Sequence, residues 1–336
     1  MTRTLLSLIL SVFPIACTGA RPHDVAGDRR LRVQDAGELI DDGGIRAPPP
    51  AISARPTVGE KPRLLLKATA RALAVDDMTI FYGDTTDDSL YAVPKSGGAP
   101  VRISHRAPVT GSLSVENDSL TWVGTPGDMV LRIPKTGGAQ TTVREHGIFA
   151  DVAVNGGDAF VAEVSGAGGI ITRVTGTTST RLAVLDTSPR GIAADDAFVY
   201  VATSSKLVRL PRAKGEVEIL ASGGRFESPE LVGGDVLFLV TRESKTTIAR
   251  VPKTGGPIAT LVADVRDGPI AIAGDSIVYF DGRRPEVRIT AIAGGEPRVV
   301  ARDPTFAQPL AIAADAKRIF VSAGDGETSG IFALTR

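Results

Sequence analysis

The chain has 336 residues, 43% of them apolar, enough to bury one large core or two ordinary ones. Lys+Arg and Asp+Glu both number 38, so the formal charge is zero, and with no long basic block the composition argues against a nucleic-acid partner. Glycine at 37 and proline at 22, with recurring Val, Ile and Thr, favour pleated strands over helices and point to an all-β protein.

At the start, Arg3 precedes an apolar run from Leu5 to Ala16 that is too short to span a bilayer and is of the kind that directs export. The single cysteine, Cys17, ends this run behind Ile15 and Ala16, an arrangement that resembles the lipobox of bacterial lipoproteins. The resemblance implies cleavage before Cys17 and a lipid on its sulfur, which would hold an exported chain at the outer membrane. The alternative is cleavage after Ala20, which discards Cys17 and leaves a periplasmic or secreted protein. Residues 1–16 are thus read as a signal peptide. Residues 17–61, with Pro48-Pro49-Pro50 and no aromatic residue, cannot bury enough surface to fold alone and read as a disordered tether.

From residue 62 to 336 the chain repeats itself. One unit is Leu73-Ala74-Val75-Asp76-Asp77 followed by Ile80-Phe81-Tyr82, seen again as Ile192 to Asp196 followed by Phe198-Val199-Tyr200. With the second turn residue as a ruler, the copies fall at Asp77, Asn117, Gly156, Asp196, Asp235, Asp275 and Ala316, at intervals of 39 to 41 residues. A second unit follows each first one: Tyr91-Ala92-Val93-Pro94-Lys95-Ser96-Gly97-Gly98, Leu131 to Gly138 and Ala249 to Gly256, with degenerate copies from Leu207 and Val287. Proline presets φ and paired glycines reach positive φ, so each is a chain reversal between strands. Four short strands, here a to d, per 40 residues is the spacing of a propeller blade.

Seven ab units but only six complete cd units are present, the last copy stopping at Ile331-Phe332-Ala333-Leu334. The orphan segment Arg63-Leu64-Leu65-Leu66-Lys67 stands where a d strand belongs, so pairing it with Ile331 to Leu334 would close a ring of seven four-stranded blades without a free edge. One b-strand aromatic per repeat, namely Phe81, Trp122, Phe160, Tyr200, Phe238, Tyr279 and Phe320, is expected to fill the space between blades. The Tyr-x-x-Pro-Lys-x-Gly-Gly turns and Ile-Ala-x-Asp-Asp units resemble those of TolB-like and related bacterial secreted propellers over roughly residues 62 to 336. That resemblance specifies a fold and leaves the activity open.

Catalytic signatures are sparse. His23 lies in the tether, and neither His105 nor His146 accompanies a Gly-x-Ser-x-Gly elbow, a His-Glu-x-x-His pair or a P-loop. Asp84 to Asp88 and Asp325-Gly326-Glu327 offer oxygen ligands for calcium but no full EF-hand spacing, and read as exposed loop tips. No cofactor is expected. The a–b and c–d reversals look tight and stereotyped, whereas the b–c and d–a connections look long and varied, so recognition is placed on the latter face. Every d–a connection carries an arginine, Arg106, Arg144, Arg190, Arg225, Arg266 and Arg302, which with His146 form the candidate binding face. The arginines could form a cationic collar, but Glu145, Asp186, Glu227, Asp267 and Asp303 lie close enough in sequence to make ordinary ion pairs the better reading. The expected function is an exported, monomeric cell-envelope binding or scaffold protein for a protein or glycan partner, touching membrane only through its N-terminal lipid. The alternative is a propeller lyase or hydrolase using one loop histidine and a carboxylate.

Overall fold

The computed structural model describes residues 61–336 except 106–108 and 125–127. The signal peptide, Cys17 and the tether up to residue 60 lie outside the described residues, as does Arg106. Strand β1 (Arg63–Leu66) precedes a first quartet of β2 (Ala70–Val75), β3 (Thr79–Asp84), β4 (Ser89–Pro94) and β5 (Val101–Ser104). The second quartet is β6 (Val109–Glu116), β7 (Ser119–Gly124), β8 (Met129–Pro134) and β9 (Thr141–Glu145). The third is β10 (Phe149–Asn155), β11 (Asp158–Ser165), β12 (Gly168–Thr175) and β13 (Thr178–Leu185); the fourth is β14 (Pro189–Ala194), β15 (Phe198–Thr203), β16 (Lys206–Pro211) and β17 (Glu218–Ser222). Then come β18 (Arg225–Val232), β19 (Asp235–Arg242), β20 (Lys245–Pro252), β21 (Ala259–Ala273), β22 (Ser276–Asp281), β23 (Glu286–Ala291) and β24 (Arg298–Arg302). The chain ends with β25 (Pro309–Ala314), β26 (Arg318–Ala323) and β27 (Gly330–Thr335).

Strand pairing yields six sheets, five of four strands and one of seven, rather than seven separate sheets. The difference lies in β21, whose first half pairs with β20 and whose second half pairs with β22. Its 15 residues run on as one strand through Asp264, at positive φ, and a register shift between Val265 and Ile270, where the other quartets are separated by a break in the strand. Strand β1 pairs antiparallel with β27, Arg63 opposite Ala333 and Leu64 opposite Phe332, and so forms the outer strand of the sheet β25–β26–β27. The innermost strands pack side by side in the order β2, β6, β10, β14, β18, β21, β25, and β25 packs against β2.

The apolar core lies between adjacent sheets, because alternate residues of a strand point to opposite faces. All seven b-strand aromatics are buried. They do not share one position. Phe81, Phe160 and Phe320 lie opposite Ala74, Ala153 and Ala313 on the inner strand, and Tyr200 lies opposite Ala193, so these four face the following repeat. Trp122 and Tyr279 sit one residue further along, opposite Leu113 and Ile270, and with Phe238 they face the preceding one. The pairing also corrects the ruler: the a–b reversals of β18–β19 and β21–β22 centre on Gly233-Gly234 and Gly274-Asp275, so Asp235 already belongs to a strand. Paired positive φ at Gly156 and Gly157 shows why glycine recurs in such two-residue turns.

The Pro-Lys turns do more than reverse the chain. Lys135 after β8 pairs with Asp76 of the preceding repeat at 2.9 Å, Lys253 pairs with Asp195 at 2.9 Å, and Lys95 pairs with Asp315 at 2.5 Å. Each ammonium also lies over the aromatic of that preceding repeat: Lys135 over Phe81, Lys253 over Tyr200 and Lys95 over Phe320, at 5.8 to 5.9 Å from the ring centre. Arg212 plays the same part with Asp158 at 2.9 Å and the Phe160 ring at 5.0 Å. Where the preceding b strand instead presents Leu237, the turn residue is Ile292, packed in the same cluster.

Candidate functional site

Four of the candidate arginines are engaged by carboxylates. Arg144 pairs with Glu163 at 3.2 Å, Arg190 with Glu227 at 3.1 Å, Arg225 with Glu227 at 3.4 Å and with Asp267, and Arg302 with Glu286 at 2.7 Å. Only Arg225 with Glu227 pairs within one strand; Glu163 and Glu286, and Glu227 and Asp267 as partners of Arg190 and Arg225, come from other strands, while Asp186 instead pairs with Lys206 and Asp303 caps a short 3-10 turn at Pro304–Ala307. Burial pushes the Glu227 carboxyl up and the neighbouring Asp267 adds to this, against the pull of Arg225 and Arg190. Arg266 has no ion pair among the described residues. His146 is 88% exposed at positive φ, its Nε2 3.5 Å from Glu145, and His105 is also exposed.

The expected contrast in connection length does not hold. Two residues join β11 to β12, β15 to β16 and β19 to β20, whereas six join β4 to β5, β8 to β9 and β20 to β21. The b and c strands keep pairing up to the reversal, helped by Glu243 and Ser244 both at positive φ, so segments that read as loops are hairpin ends. The two acidic segments do meet: Asp84, Asp87 and Glu327 border one surface depression with Lys67. No group of three or more His, Cys, Asp or Glu among the described residues is placed to hold a metal ion.

The feature that the sequence reading missed is the cavity between the inner strands. It has a volume of about 490 Å³ and takes its walls from β2, β6, β10, β14, β18, β21 and β25. Along β2 and β25 its lining residues, Arg71 to Leu73 and Leu310 to Ile312, are those nearest the d–a connection. At the register position opposite the b strand where Ala74, Ser114, Ala153, Ala193, Ala271 and Ala313 recur, β18 carries Glu230. At the position of Ala72, Gly191 and Ala311, β10 carries Asp151. Small residues thus prevail at these two register positions, and one copy of each bears a carboxylate.

The two acids are held differently. Asp151 accepts the Val152 N–H at 2.7 Å and the Ile192 N–H at 2.9 Å, with the Ser112 hydroxyl as a third donor. Burial nevertheless pushes its carboxyl up to about 6. Glu230 accepts no hydrogen bond and forms no ion pair among the described residues, and burial together with the Asp151 charge pushes it up to about 7. The signal in sequence is Pro229-Glu230-Leu231 where other repeats have small residues. The ruler placed at Asp235, two residues past the equivalent turn position Gly233, shifted that alignment and hid it.

No family model and no curated protein matches the chain. Solved structures do. The WD40 β-propeller domain of Doa1 superimposes with a TM-score of 0.63 at 12% identity, over 82% of this chain and 96% of that one. The β-propeller domain of Myceliophteria thermophila Cps50 (Swd1) gives 0.62 at 14% identity, over 82% and 99%. An oligogalacturonate lyase in complex with manganese gives 0.61 at 12% identity, over 81% and 89%. At such identities the likeness concerns architecture alone, and the chain has a β-propeller fold built from repeated antiparallel sheets.

Proposed function

We propose that this is a seven-bladed propeller serving as a binding scaffold, with its recognition surface at the channel mouth on the face of the b–c and d–a connections. The blade count treats β21 as the last strand of one blade and the first of the next, and takes β1 as the outer strand of the seventh. The cyclic packing of inner strands and the Lys95–Asp315 pair between first and last repeats support a closed ring. The observation that carries the binding reading is the cavity of about 490 Å³ walled by every inner strand, since rigid rings of strands position ligands at such mouths. We further propose export by residues 1–16 and lipidation of Cys17, with a protein or glycan partner in the envelope and the protein itself monomeric.

The test is capture of envelope components by the exported chain and by a variant carrying Arg144→Glu, Arg190→Glu and Arg225→Glu. A partner retained by the wild type and lost by the variant supports the reading; equal capture by both sinks it. A second reading, a lyase or hydrolase, draws on the His146–Glu145 pair at 3.5 Å on the same face. Turnover of a polysaccharide that disappears on His146→Ala or His105→Ala substitution would favour it.

A further inference from the structure

We propose that the channel binds an organic ammonium group, with Glu230 as its counter-ion and Asp151 as a second, fixed negative charge. The inference rests on the channel being the binding mouth and adds the class of ligand. Among the described lining residues only Arg71, Asp151 and Glu230 carry charge, and Arg71 is exposed and forms no ion pair. Two carboxylates therefore face a tube walled by aliphatic and small residues, and its one cationic lining residue, the exposed Arg71, pairs with neither of them.

The two acids divide the work. Both Asp151 oxygens already accept backbone N–H groups, so this side chain is oriented and adds charge without needing the ligand's protons. Glu230 has its full acceptor capacity free. Its partner must donate hydrogen bonds and carry positive charge, which an ammonium does and a neutral sugar hydroxyl does only in part. The Ser112 and Ser114 hydroxyls border the same space, but both engage Asp151 or the Val152 peptide, so they add walls more than ligands. A metal ion is the weaker fit, because one free carboxylate supplies too few oxygens for calcium or magnesium. In the empty channel a proton performs the neutralisation, so ammonium and proton compete.

The experiment is calorimetric titration of the folded chain at pH 8 with 1,4-diaminobutane, with a lysine-containing peptide, with uncharged 1,4-butanediol and with calcium or manganese chloride. Saturable binding of the diamine or the peptide, weakened at least tenfold by Glu230→Gln and at least tenfold on lowering the pH to 5, supports the proposal, and the two amine arms tell a free amine from an inserted lysine side chain. Glu230→Ala, which restores the residue found in most other repeats, is a second variant whose fold is secure. No saturable amine binding, unchanged binding in both Glu230 variants, equal binding of the diol, or binding of the metal in place of the amine would each overturn it. Partner capture that depends on the face arginines while amines fail to bind would overturn the ligand class alone.

Discussion

The two ends of the strands in this protein are organised by different rules. At the a–b and c–d end, charged residues recur in register and join one repeat to the next: Asp76 with Lys135, Asp195 with Lys253, Asp315 with Lys95, each ammonium lying over a buried aromatic. At the b–c and d–a end the pairs are individual, as with Arg190, Glu227 and Arg225. The difference teaches where the repeat is under structural constraint. A pair that must fit between two neighbouring sheets is copied with the repeat, whereas a pair at a solvated rim contributes little to stability and is free to vary.

Four experiments break or sharpen that contrast. Removing the buried layer under the latches should cost most: Trp122→Ala empties a side chain with no exposed surface, and a loss of about 3–5 kcal/mol in urea unfolding is expected. A loss below about 1 kcal/mol would show that the sheets do not depend on this layer. Next, Lys95→Ala should cost about 2–3 kcal/mol, because the lysine is 2% exposed and leaves Asp315 unpaired, while Lys135→Ala, 21% exposed, should cost about half as much. Equal losses would mean that the junction of first and last repeats is no different from the others.

The inner strands make the opposite kind of prediction. Glu230 is held well above its ordinary 4.5, so the folded state binds its proton more tightly than the unfolded state does, and stability falls as the pH rises from about 5 to 8. Glu230→Ala should remove most of that slope, gaining on the order of 2 kcal/mol at pH 8 and little at pH 5, read from thermal or urea unfolding at each pH. The latch aspartates run the other way. For Asp76, Asp195 and Asp315 burial raises the carboxyl, but hydrogen bonds from the lysines and from backbone N–H groups outweigh it and hold each below 3.8. Their contribution is therefore present above that value and is lost as the pH falls further. Together with Asp151, raised from 3.8 to about 6, the two sets place maximum stability at about pH 4, where the latch carboxyls are still ionised and Glu230 is still protonated in both states. The smallest effect is expected at the rim, where Arg190→Ala, with the arginine 40% exposed, should change unfolding by under about 1 kcal/mol.

Much of the architecture was readable because it is periodic. Turn glycines, Pro-Lys dipeptides and one aromatic per b strand recur at nearly constant spacing, and β1 was assigned its place from a count of strands that left one missing. Three things were not readable. The continuity of β21 runs against local sequence, since Asp267-Gly268-Pro269 is a breaker and Asp264 takes positive φ, yet pairing on both sides carries the strand through. Whether an aromatic faces forward or back turns on a one-residue offset, as between Phe81 and Trp122. The partners of Arg144 and Arg302 are distant in sequence, so the neighbouring acids suggested the wrong pairs.

By itself the sequence determined the all-β character, the repeat and its strand quartet, since these follow from local chain stiffness, alternation and turn chemistry that each copy carries within about 40 residues. Only the tertiary structure decided that Asp151 and Glu230, 79 positions apart, line one cavity without forming an ion pair among the described residues, and that Lys95 meets Asp315 across 220 residues. Charges on separate repeats acquire a common environment only when the sheets pack around an axis, and no pattern confined to one repeat encodes that meeting.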